Sequence, residues 1–293
     1  MDEFLTTKEV AALLRIKERK VYELVGENAI PVSRVTGKLL FPRDMVEAWV
    51  RRNIEFRGGT EGLVPRPPVL AGSHDPLLEW ALRESGSGLA TFFDGSLSGL
   101  QRLAEGGAVA AGMHVFEPDE SDWNRAHIRR TLPGLPVVLI EWARRSQGLV
   151  LPAGNPRGVR GLGDLVGRRF LPRQKEAGSR LLLDHLMSRE ALDTELIEMM
   201  GPPARSEADV ALAVADGKAD AGLAVETVAR QYRLDFVPLF EERYDLVLWR
   251  RDYFEPPIQA LMAFCRTPAF TARAAELGGY RIGGLGTVHY NGP

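Results

Sequence analysis

From residue 69 onward the sequence repeats one local pattern, in which a short apolar run is followed by a polar loop and a helix pattern. The apolar runs 69–71 and 89–93 each lead into a loop rich in glycine and serine and then into a helix. A third unit passes through the polar loop 172–180, and a fourth places a strand at 219–224 after a helix. Alternating strands and helices predict a mainly parallel α/β sheet.

The first fifty residues carry a different pattern, with short helices separated by turn signals. Thr6 and Glu9 have the spacing of a capping box, which begins a helix. After a turn, a second short helix is expected at about 18–25. Two β-rich runs around Gly37 predict a hairpin, and Pro42 precedes a third helix. This order predicts a small winged helix-turn-helix domain.

Between these two parts, residues 54–68 lose their periodicity. Glycine at 58 and 59, followed by three prolines within 65–68, is typical of a domain boundary. We therefore expect a winged domain at 1–53, a linker at 54–68 and an α/β domain at 69–293. Residues 1–57 contain 11 Lys and Arg against 9 Asp and Glu, and the remainder contains 26 against 30. This slight asymmetry supports nucleic-acid binding only together with a motif.

The composition excludes several classes of protein. With 293 residues, 45% of them hydrophobic and 26% charged, the chain is typical of a globular protein of two or three domains. It has no run of about 18 apolar residues, so no membrane span is expected. The acidic N-terminus lacks the features of a secretion signal, which predicts a cytoplasmic location. A single cysteine, Cys265, excludes an internal disulfide and a cysteine-built zinc site.

Residues 4–52 resemble the excisionase-like and MerR-like helix-turn-helix families. The likeness rests on LTTKEVAALLRIKERKVYELV, on VTGKLLFPR for the wing and on DMVEAWV for the closing helix. It implies that the second helix enters the major groove of double-stranded operator DNA while the wing contacts the backbone or the minor groove. The residues implied at the DNA are Lys17, Arg19, Lys20, Tyr22, Arg34, Thr36 and Lys38. Since such regulators bind two half-sites, a homodimer is expected.

Polar loops at the starts of helices are the second feature with chemical meaning. Ser73, Ser96 and Ser98 lie in the first two loops of the α/β domain, and Ser179 and Arg180 lie at a later helix start. A helix N-terminus presents unpaired N–H groups and the positive end of a dipole, and serine hydroxyls add donors. One such loop usually contains only a capping serine, but several in one domain favour a site for a small anion.

The chain from about residue 69 to about 253 resembles the PBP-like domain family, which has the fold of type II periplasmic solute-binding proteins. The likeness rests on segments such as AGSHDPLLEWAL, DGSLSGLQRLAEGGAVAAGMHVFEP, RQKEAGSRLLLDHL and VALAVADGKADAGLA. It implies two α/β lobes joined by crossover strands, with lobe 1 at about 69–138 and 240–293 and lobe 2 at about 146–236. The expected fold class is therefore α/β, with a winged helix-turn-helix domain and a two-lobed PBP-like domain.

The same resemblance implies a ligand clasped between the two lobes. The family is similar to the molybdate and tungstate binders, which implies an oxyanion as the effector of a one-component transcription regulator. The ligand-binding residues carried over are Ser73, His74, Ser96, Ser98, Gln174, Ser179, Arg180 and Tyr244. A histidine beside such a loop is more often a cap or a core residue than a metal ligand. We expect no metal, no cofactor and no catalytic residue.

The third polar loop departs from the family pattern. Pro172 stands where the family has an asparagine, and Glu176 and Ala177 replace a smaller glycine and serine pair. A carboxylate beside a bound dianion would repel it unless the side chain turned outward. Arg180 suits a carboxylate or sulfonate, so an organic anion is an alternative effector. Arg180 also has the spacing for an ion pair with Asp184.

Other functions compete with this interpretation. The basic residues of the winged domain also fit the solvated face of a protein-binding module. The α/β domain also suits a transport-type solute-binding protein or a cofactor-biosynthesis enzyme. The sequence has no paired catalytic carboxylates, nucleophile elbow or phosphate-loop lysine motif. The helix-like segment 258–277 packs within a lobe in the favoured interpretation and joins subunits in the alternative.

Overall fold

The computed structural model of the protein describes residues 4–35, 37–53 and 66–293. The chain divides into two compact units, Met1–Pro65 and Arg66–Pro293. Most of the expected linker, residues 54–65, lies outside the described residues. Within the described ranges, no helix is long and apolar enough to cross a membrane.

The first unit is a small helical domain with a wing. Its elements are β1 (Phe4–Leu5), α1 (Thr7–Leu14), α2 (Glu18–Gly26), β2 (Phe41–Pro42) and α3 (Arg43–Arg52). The expected hairpin contributes one antiparallel bridge, between Ser33 and Leu40. The second run of the hairpin continues into β2, which pairs with β1 instead. The apolar faces close over one core, formed by Leu5, Val10, Ala11, Val21, Val25, Ile30, Phe41 and Val46.

Local chemistry sets the ends of the first two helices. The carboxylate of Glu9 accepts from the Thr6 backbone N–H at 2.7 Å, and the Thr6 hydroxyl accepts from the Glu9 N–H at 3.4 Å. This is the capping box that the sequence predicts. α1 ends where Arg15 adopts a left-handed conformation with φ 53°. The chain then turns, and α2 begins after Lys17.

The second unit alternates strands and helices. Its elements are β3 (Val69–Gly72), α4 (Pro76–Glu84), β4 (Ala90–Phe93), α5 (Ser96–Ala104), β5 (Ala110–Met113), β6 (Phe116–Glu117), β7 (Asp122–Trp123), α6 (Arg125–Thr131), β8 (Val137–Leu151), β9 (Arg169–Leu171), α7 (Gly178–Arg189), β10 (Glu198–Met199), α8 (Glu207–Ala215), β11 (Ala221–Val225), α9 (Glu226–Gln231), β12 (Asp235–Trp249), α10 (Pro256–Phe264), α11 (Pro268–Leu277), β13 (Tyr280–Arg281) and β14 (Val288–Asn291).

Two long strands organise this unit into two lobes. The sheet has the order β10-β9-β11-β8-β12-β5-β3-β4, with β13 and β14 also paired to β8. β8 and β12 have 15 residues each and run antiparallel to each other. β3, β4 and β5 are parallel on one side, and β9, β10 and β11 are parallel on the other. The sheet is therefore parallel within each lobe and antiparallel along the crossover.

Separate apolar cores support the two lobes. In lobe 2, Phe170, Leu182 and Leu223 belong to one buried cluster. In lobe 1, the ring of Trp142 packs against Phe270 with centroids 5.4 Å apart. α10 and α11 both pack against α4, so the C-terminal helices pack against lobe 1. The carboxyl ends of the parallel strands in both lobes consequently meet at the crossover, where ligands bind in open α/β sheets.

Candidate functional site

The second helix of the winged domain presents a polar face that is free of core packing. Val21 and Val25 point into the core. Lys17, Arg19, Lys20 and Tyr22, which the resemblance implies at the DNA, are all exposed, and the Arg19 side chain is 90% accessible. A helix with one buried apolar face and one exposed basic face can enter the major groove.

A carboxylate that the sequence analysis did not select lies in the middle of this face. Glu23 is 3.3 Å from Nε of Arg19 and 3.1 Å from Nζ of Lys20. These exposed pairs contribute little to stability. They do hold two basic side chains close to one acceptor, and a carboxylate in a major groove can accept from cytosine N4. The three-residue and four-residue spacing from Glu23 to the two basic residues was the signal available in the sequence.

The wing presents two further basic residues. Arg34 and Lys38 are exposed on either side of the turn. Thr36, the third residue implied at the wing, lies outside the described residues. Cations at the tip of a wing can neutralise phosphates without selecting a sequence, and this role of Arg34 and Lys38 stays a prediction.

In the second unit, the loops of lobe 1 converge on His114. The Ser73 hydroxyl lies 2.9 Å from Nε2 of His114, and the Ser96 hydroxyl accepts from the His114 backbone N–H at 3.3 Å. These three residues are buried, whereas Ser98, in the first turn of α5, is half-buried. Two of the expected serines are therefore brought together around a histidine that the resemblance did not assign.

A buried ion network lies next to His114. Arg145, only 1% exposed, donates to Asp75 at 2.9 Å and also bonds Glu242. Glu242 in turn lies 2.7 Å from Nδ1 of His114. Burial alone would raise the pKa of Glu242, but the charge of Arg145 and the interaction with His114 outweigh burial and lower that pKa. The network therefore keeps an ionised carboxylate at the centre of the crossover.

Asp75 ties this network to lobe 1. Its carboxylate caps α4 by accepting from the Leu78 N–H at 2.7 Å, and it also accepts from the indole of Trp142 at 3.1 Å and the hydroxyl of Tyr280 at 2.7 Å. Four donors, with Arg145 included, thus surround one buried carboxylate. A buried charge requires hydrogen-bond partners of this kind.

Gln147 ties the network to lobe 2. Its amide nitrogen donates to Glu207 at 3.0 Å and to Glu242 at 3.3 Å. Three buried polar atoms in this region have no hydrogen-bond partner among the described residues, and they are Nε of Arg145, Oε1 of Gln147 and Oγ of Ser179. Buried groups of this kind are rare in proteins, and a ligand is one explanation for them.

The two lobes touch at the starts of two helices. The start of α5 lies in lobe 1 and that of α7 in lobe 2, and neither has a side-chain cap. A Cβ on Gly95 would lie 3.3 Å from the carbonyl oxygen of Glu176, and one on Gly178 would lie 2.6 Å from that of His114. A side chain at Gly178 would therefore clash with the backbone of lobe 1, and at Gly95 a φ of 106° and the nearby Glu176 carbonyl both favour glycine. Arg205 also reaches across to Asp94 at 3.1 Å.

The remaining expected ligand residues are engaged by the protein. Nε2 of His74 lies 3.1 Å from Glu79, and the Gln174 amide donates to the Arg205 carbonyl at 3.4 Å. Nε of Arg180 lies 2.9 Å from Asp184, which is the ion pair that its spacing allowed. The Tyr244 hydroxyl donates to the Ser73 carbonyl. Tyr244 thus holds the first loop, and its role at the ligand stays a prediction, as do those of the other three residues.

The third loop accommodates the carboxylate that departs from the family pattern by exposing it to solvent. Glu176 is exposed, so its side chain turns toward solvent, which removes the expected repulsion of an anion. Ala177 and Gly178 are buried at the start of α7. The Glu176 carboxylate is therefore kept out of the buried part of the loop, where Ser179 and the guanidinium of Arg173 are the polar groups.

Metal binding and thiol reactivity would each require a particular arrangement of side chains. Among the residues that the structure describes, no group of three or more His, Cys, Asp or Glu is placed to hold a metal ion. Cys265 is buried in lobe 1, and burial raises the pKa of its thiol to about 12. At neutral pH this thiol is protonated and a poor nucleophile.

Fold and cleft together define a two-lobed binding domain joined to a helix-turn-helix domain. The chain belongs to the PBP superfamily, whose domain model matches residues 79–266, and a helix-turn-helix model matches residues 4–54. The uncharacterized protein YvgK of Bacillus subtilis is 26% identical over 303 residues, which covers 97% of this chain and 96% of that protein. An uncharacterized Clostridium pasteurianum protein, from the 5′ region of a 2Fe-2S ferredoxin gene, is 31% identical over 109 residues, or 37% of this chain and 96% of its own.

Two solved structures share the fold at low sequence identity. The Corynebacterium glutamicum OxyR C206S mutant, H2O2-bound, aligns with a TM-score of 0.53 and 15% identity over 92% of this chain and 90% of its own. The sulfate-binding protein SubI of Mycobacterium tuberculosis aligns with a TM-score of 0.50 and 17% identity over 73% of this chain and 86% of its own. The expected α/β fold class, with a helix-turn-helix domain and a two-lobed domain, is confirmed.

Proposed function

We propose that this protein is a DNA-binding transcription regulator that senses a small anion between the lobes of its PBP domain. The exposed basic side chains of α2 and of the wing support DNA binding. The PBP domain supports binding of a small molecule, since its fold is shared with a sulfate-binding protein.

One observation supports an anion as the class of ligand. The uncapped starts of α5 and α7 belong to opposite lobes and approach each other at Gly95 and Glu176. Helix N-termini favour anions because of their unpaired N–H groups and their dipole. The buried Ser179 hydroxyl, with no partner among the described residues, adds a donor to the start of α7. An anion held by both helices would stabilise the closed arrangement of the lobes.

Two groups of anion are candidates. The tetrahedral oxyanions molybdate and tungstate follow from the sequence resemblance, and their oxygens match neutral donors such as Ser73, Ser96 and Ser179. Organic carboxylates and sulfonates follow from Arg180, whose guanidinium would have to leave Asp184 to bind them.

Binding energy can act on DNA only if the anion prefers one arrangement of the protein. We propose that closure of the lobes is this arrangement and that the protein acts as a symmetric homodimer on a two-half-site operator. The anion would then change the relative positions of two winged domains, and with them the affinity for the operator.

The proposal is tested first by thermal denaturation of the full chain with molybdate, tungstate, sulfate, phosphate and small carboxylates and sulfonates. A ligand that binds only the folded state raises the melting temperature with its concentration. The anion that does so is then added to a DNA-retardation assay with DNA from the protein's own promoter region. A stabilising anion that also changes DNA affinity supports the proposal. DNA binding that no stabilising anion alters would contradict it.

A further inference from the structure

The orientation of the Gln147 amide is fixed by its neighbours. Its nitrogen faces the carboxylates of Glu207 and Glu242, at 3.0 and 3.3 Å, and carboxylates accept hydrogen bonds. The amide therefore cannot be turned around, and its oxygen is the atom left without a partner among the described residues. Gln147 is fully buried, so bulk water does not satisfy this oxygen. The cleft thus contains a free acceptor.

Two free donors lie in the same region. Arg145 is two residues from Gln147 on the same face of β8, both side chains contact Glu242, and Nε of Arg145 has no partner among the described residues. The unpartnered Ser179 hydroxyl follows Gly178, which packs against His114, itself bonded to Glu242. Arg145 and Gln147 therefore contact Glu242 directly, whereas Ser179 is linked to it through Gly178 and His114.

The region offers no surplus of positive charge. Arg145 is already paired with both Asp75 and Glu242. Among the described residues, the buried ionisable side chains linked to this network are the carboxylates of Asp75, Glu207 and Glu242, the guanidinium groups of Arg145 and Arg173, and the imidazole of His114. An anion that offers only acceptor oxygens would meet a free acceptor and three carboxylates here. An anion with its own N–H or O–H group would satisfy the acceptor.

We infer that the anion sensed in the cleft carries a hydrogen-bond donor, which Gln147 Oε1 accepts, while Arg145 Nε and Ser179 Oγ donate to its acceptor oxygens. This inference deepens the proposed function and rests on it, because it concerns the same cleft. The ligand class is an oxoanion that keeps a proton at neutral pH, as inorganic phosphate does, or a carboxylate with an adjacent hydroxyl. Sulfate, molybdate and tungstate, which are fully ionised at neutral pH, lack such a donor.

Matched pairs of anions test this class. We would measure dissociation constants by titration calorimetry for phosphate against sulfate and for glycolate against acetate, with the full chain at neutral pH. The donor-bearing member of at least one pair is expected to bind at least tenfold more tightly. A preference for phosphate alone would assign an inorganic oxoanion, and a preference for glycolate alone would assign a hydroxy acid. Equal binding within both pairs, or tighter binding of sulfate or molybdate, would overturn the inference.

Two variants separate this inference from the proposed function. Gln147→Met removes the acceptor, and with it the amide donors to Glu207 and Glu242, with little change in volume, and is expected to bring the ratio of the two dissociation constants close to one. Ser179→Ala removes a hydroxyl that bonds no described residue, so the folded protein should melt at an unchanged temperature. Ser179→Ala should weaken the binding of both anions of a pair by a similar factor, since both anions carry acceptor oxygens.

The outcomes of the variants are distinguishable. A Gln147→Met protein that keeps the wild-type preference would overturn the inference and leave the proposed anion site intact. If Gln147→Met fails to fold, the comparison of the two anion pairs on the wild-type protein still decides the inference. Failure of every tested anion to bind the wild type would overturn the proposed function and this inference with it.

Discussion

At the scale of single residues, the alternation of side chains along β8 exposes one of two neighbouring arginines and buries the other. The Arg144 side chain is 49% accessible and the Arg145 side chain 1%. A buried guanidinium is costly unless carboxylates neutralise it and its hydrogen bonds are made. Asp75 and Glu242 meet that requirement for its terminal nitrogens. Removing either carboxylate would leave a buried charge poorly compensated, so this network is a site of high sensitivity to substitution.

The exposed basic residues of the winged domain support a prediction about DNA binding rather than about stability. Arg19→Ala and Lys38→Ala are expected to weaken DNA binding without changing anion affinity, because both side chains are exposed and lie outside the anion site. The logarithm of the DNA-binding constant falls linearly with the logarithm of the salt concentration. The magnitude of this slope should decrease by about 0.9 for each phosphate that the variant no longer neutralises. Retardation or fluorescence titration at several salt concentrations measures this.

A matched control for these variants is Lys218→Ala in the second unit. Lys218 is also exposed and forms a local ion pair with Asp216, at 2.9 Å. Its replacement should leave the salt slope unchanged. Unchanged DNA affinity in both Arg19→Ala and Lys38→Ala would show that DNA does not bind at α2 and the wing.

At the scale of elements, the close approach of strands and loops explains where glycine is required. β5 passes beneath the ring of Tyr244, and a Cβ on Gly112 would clash with the Tyr244 hydroxyl oxygen. That hydroxyl holds the Ser73 carbonyl and hence the first polar loop. The position of a loop that faces the cleft therefore depends on a missing side chain in a neighbouring strand.

Gly112→Ala is expected to destabilise the protein and to disturb the first loop. Overpacking of this kind costs about 1–3 kcal/mol, or several degrees in the melting temperature. The control is Gly161→Ala, since Gly161 has an extended backbone and a Cβ there would meet nothing within 4 Å. Thermal denaturation followed by circular dichroism compares the two. Equal melting temperatures for both variants would contradict this account of Gly112.

At the scale of the whole molecule, binding in one compact unit must change binding in the other for the protein to act as a regulator. Each has its own apolar core, so each is stabilised separately. Coupling between a ligand and DNA is then a free energy shared by the two binding events, and it must be reciprocal. This gives a test that needs no knowledge of the path between the units.

If the anion changes the dissociation constant for DNA by some factor, DNA is expected to change the dissociation constant for the anion by the same factor. Typical coupling lies at about 5-fold to 150-fold. Calorimetric titration of the anion into protein with and without operator DNA, paired with DNA titrations with and without the anion, measures both factors. Two unequal factors would mean that one of the titrations reports a process other than two-site binding by one protein.

What the sequence alone determined is largely local. The capping box at Thr6, the second helix, expected at about 18–25 and found at Glu18–Gly26, and the loops before α5 and α7 follow from residues near each other in the chain. Their hydrogen bonds and helix ends depend on a few neighbouring residues, so the pattern suffices. The positions of Ser73, Ser96 and Ser179 near helix starts follow for the same reason, whereas their roles at a ligand stay predictions.

The tertiary structure alone decided how the centre of the cleft is built. Arg145, Gln147 and Glu242 belong to β8 and β12, and Arg145 meets partners 70 and 97 positions away in the chain. Charged residues in a strand are ordinarily expected on a solvated face, so these residues gave no local sign of burial. Which face is buried depends on the register between β8 and β12 and on the packing of both lobes against them. That register is set by pairing across the whole sheet, because a shift of one residue would move every side chain to the opposite face.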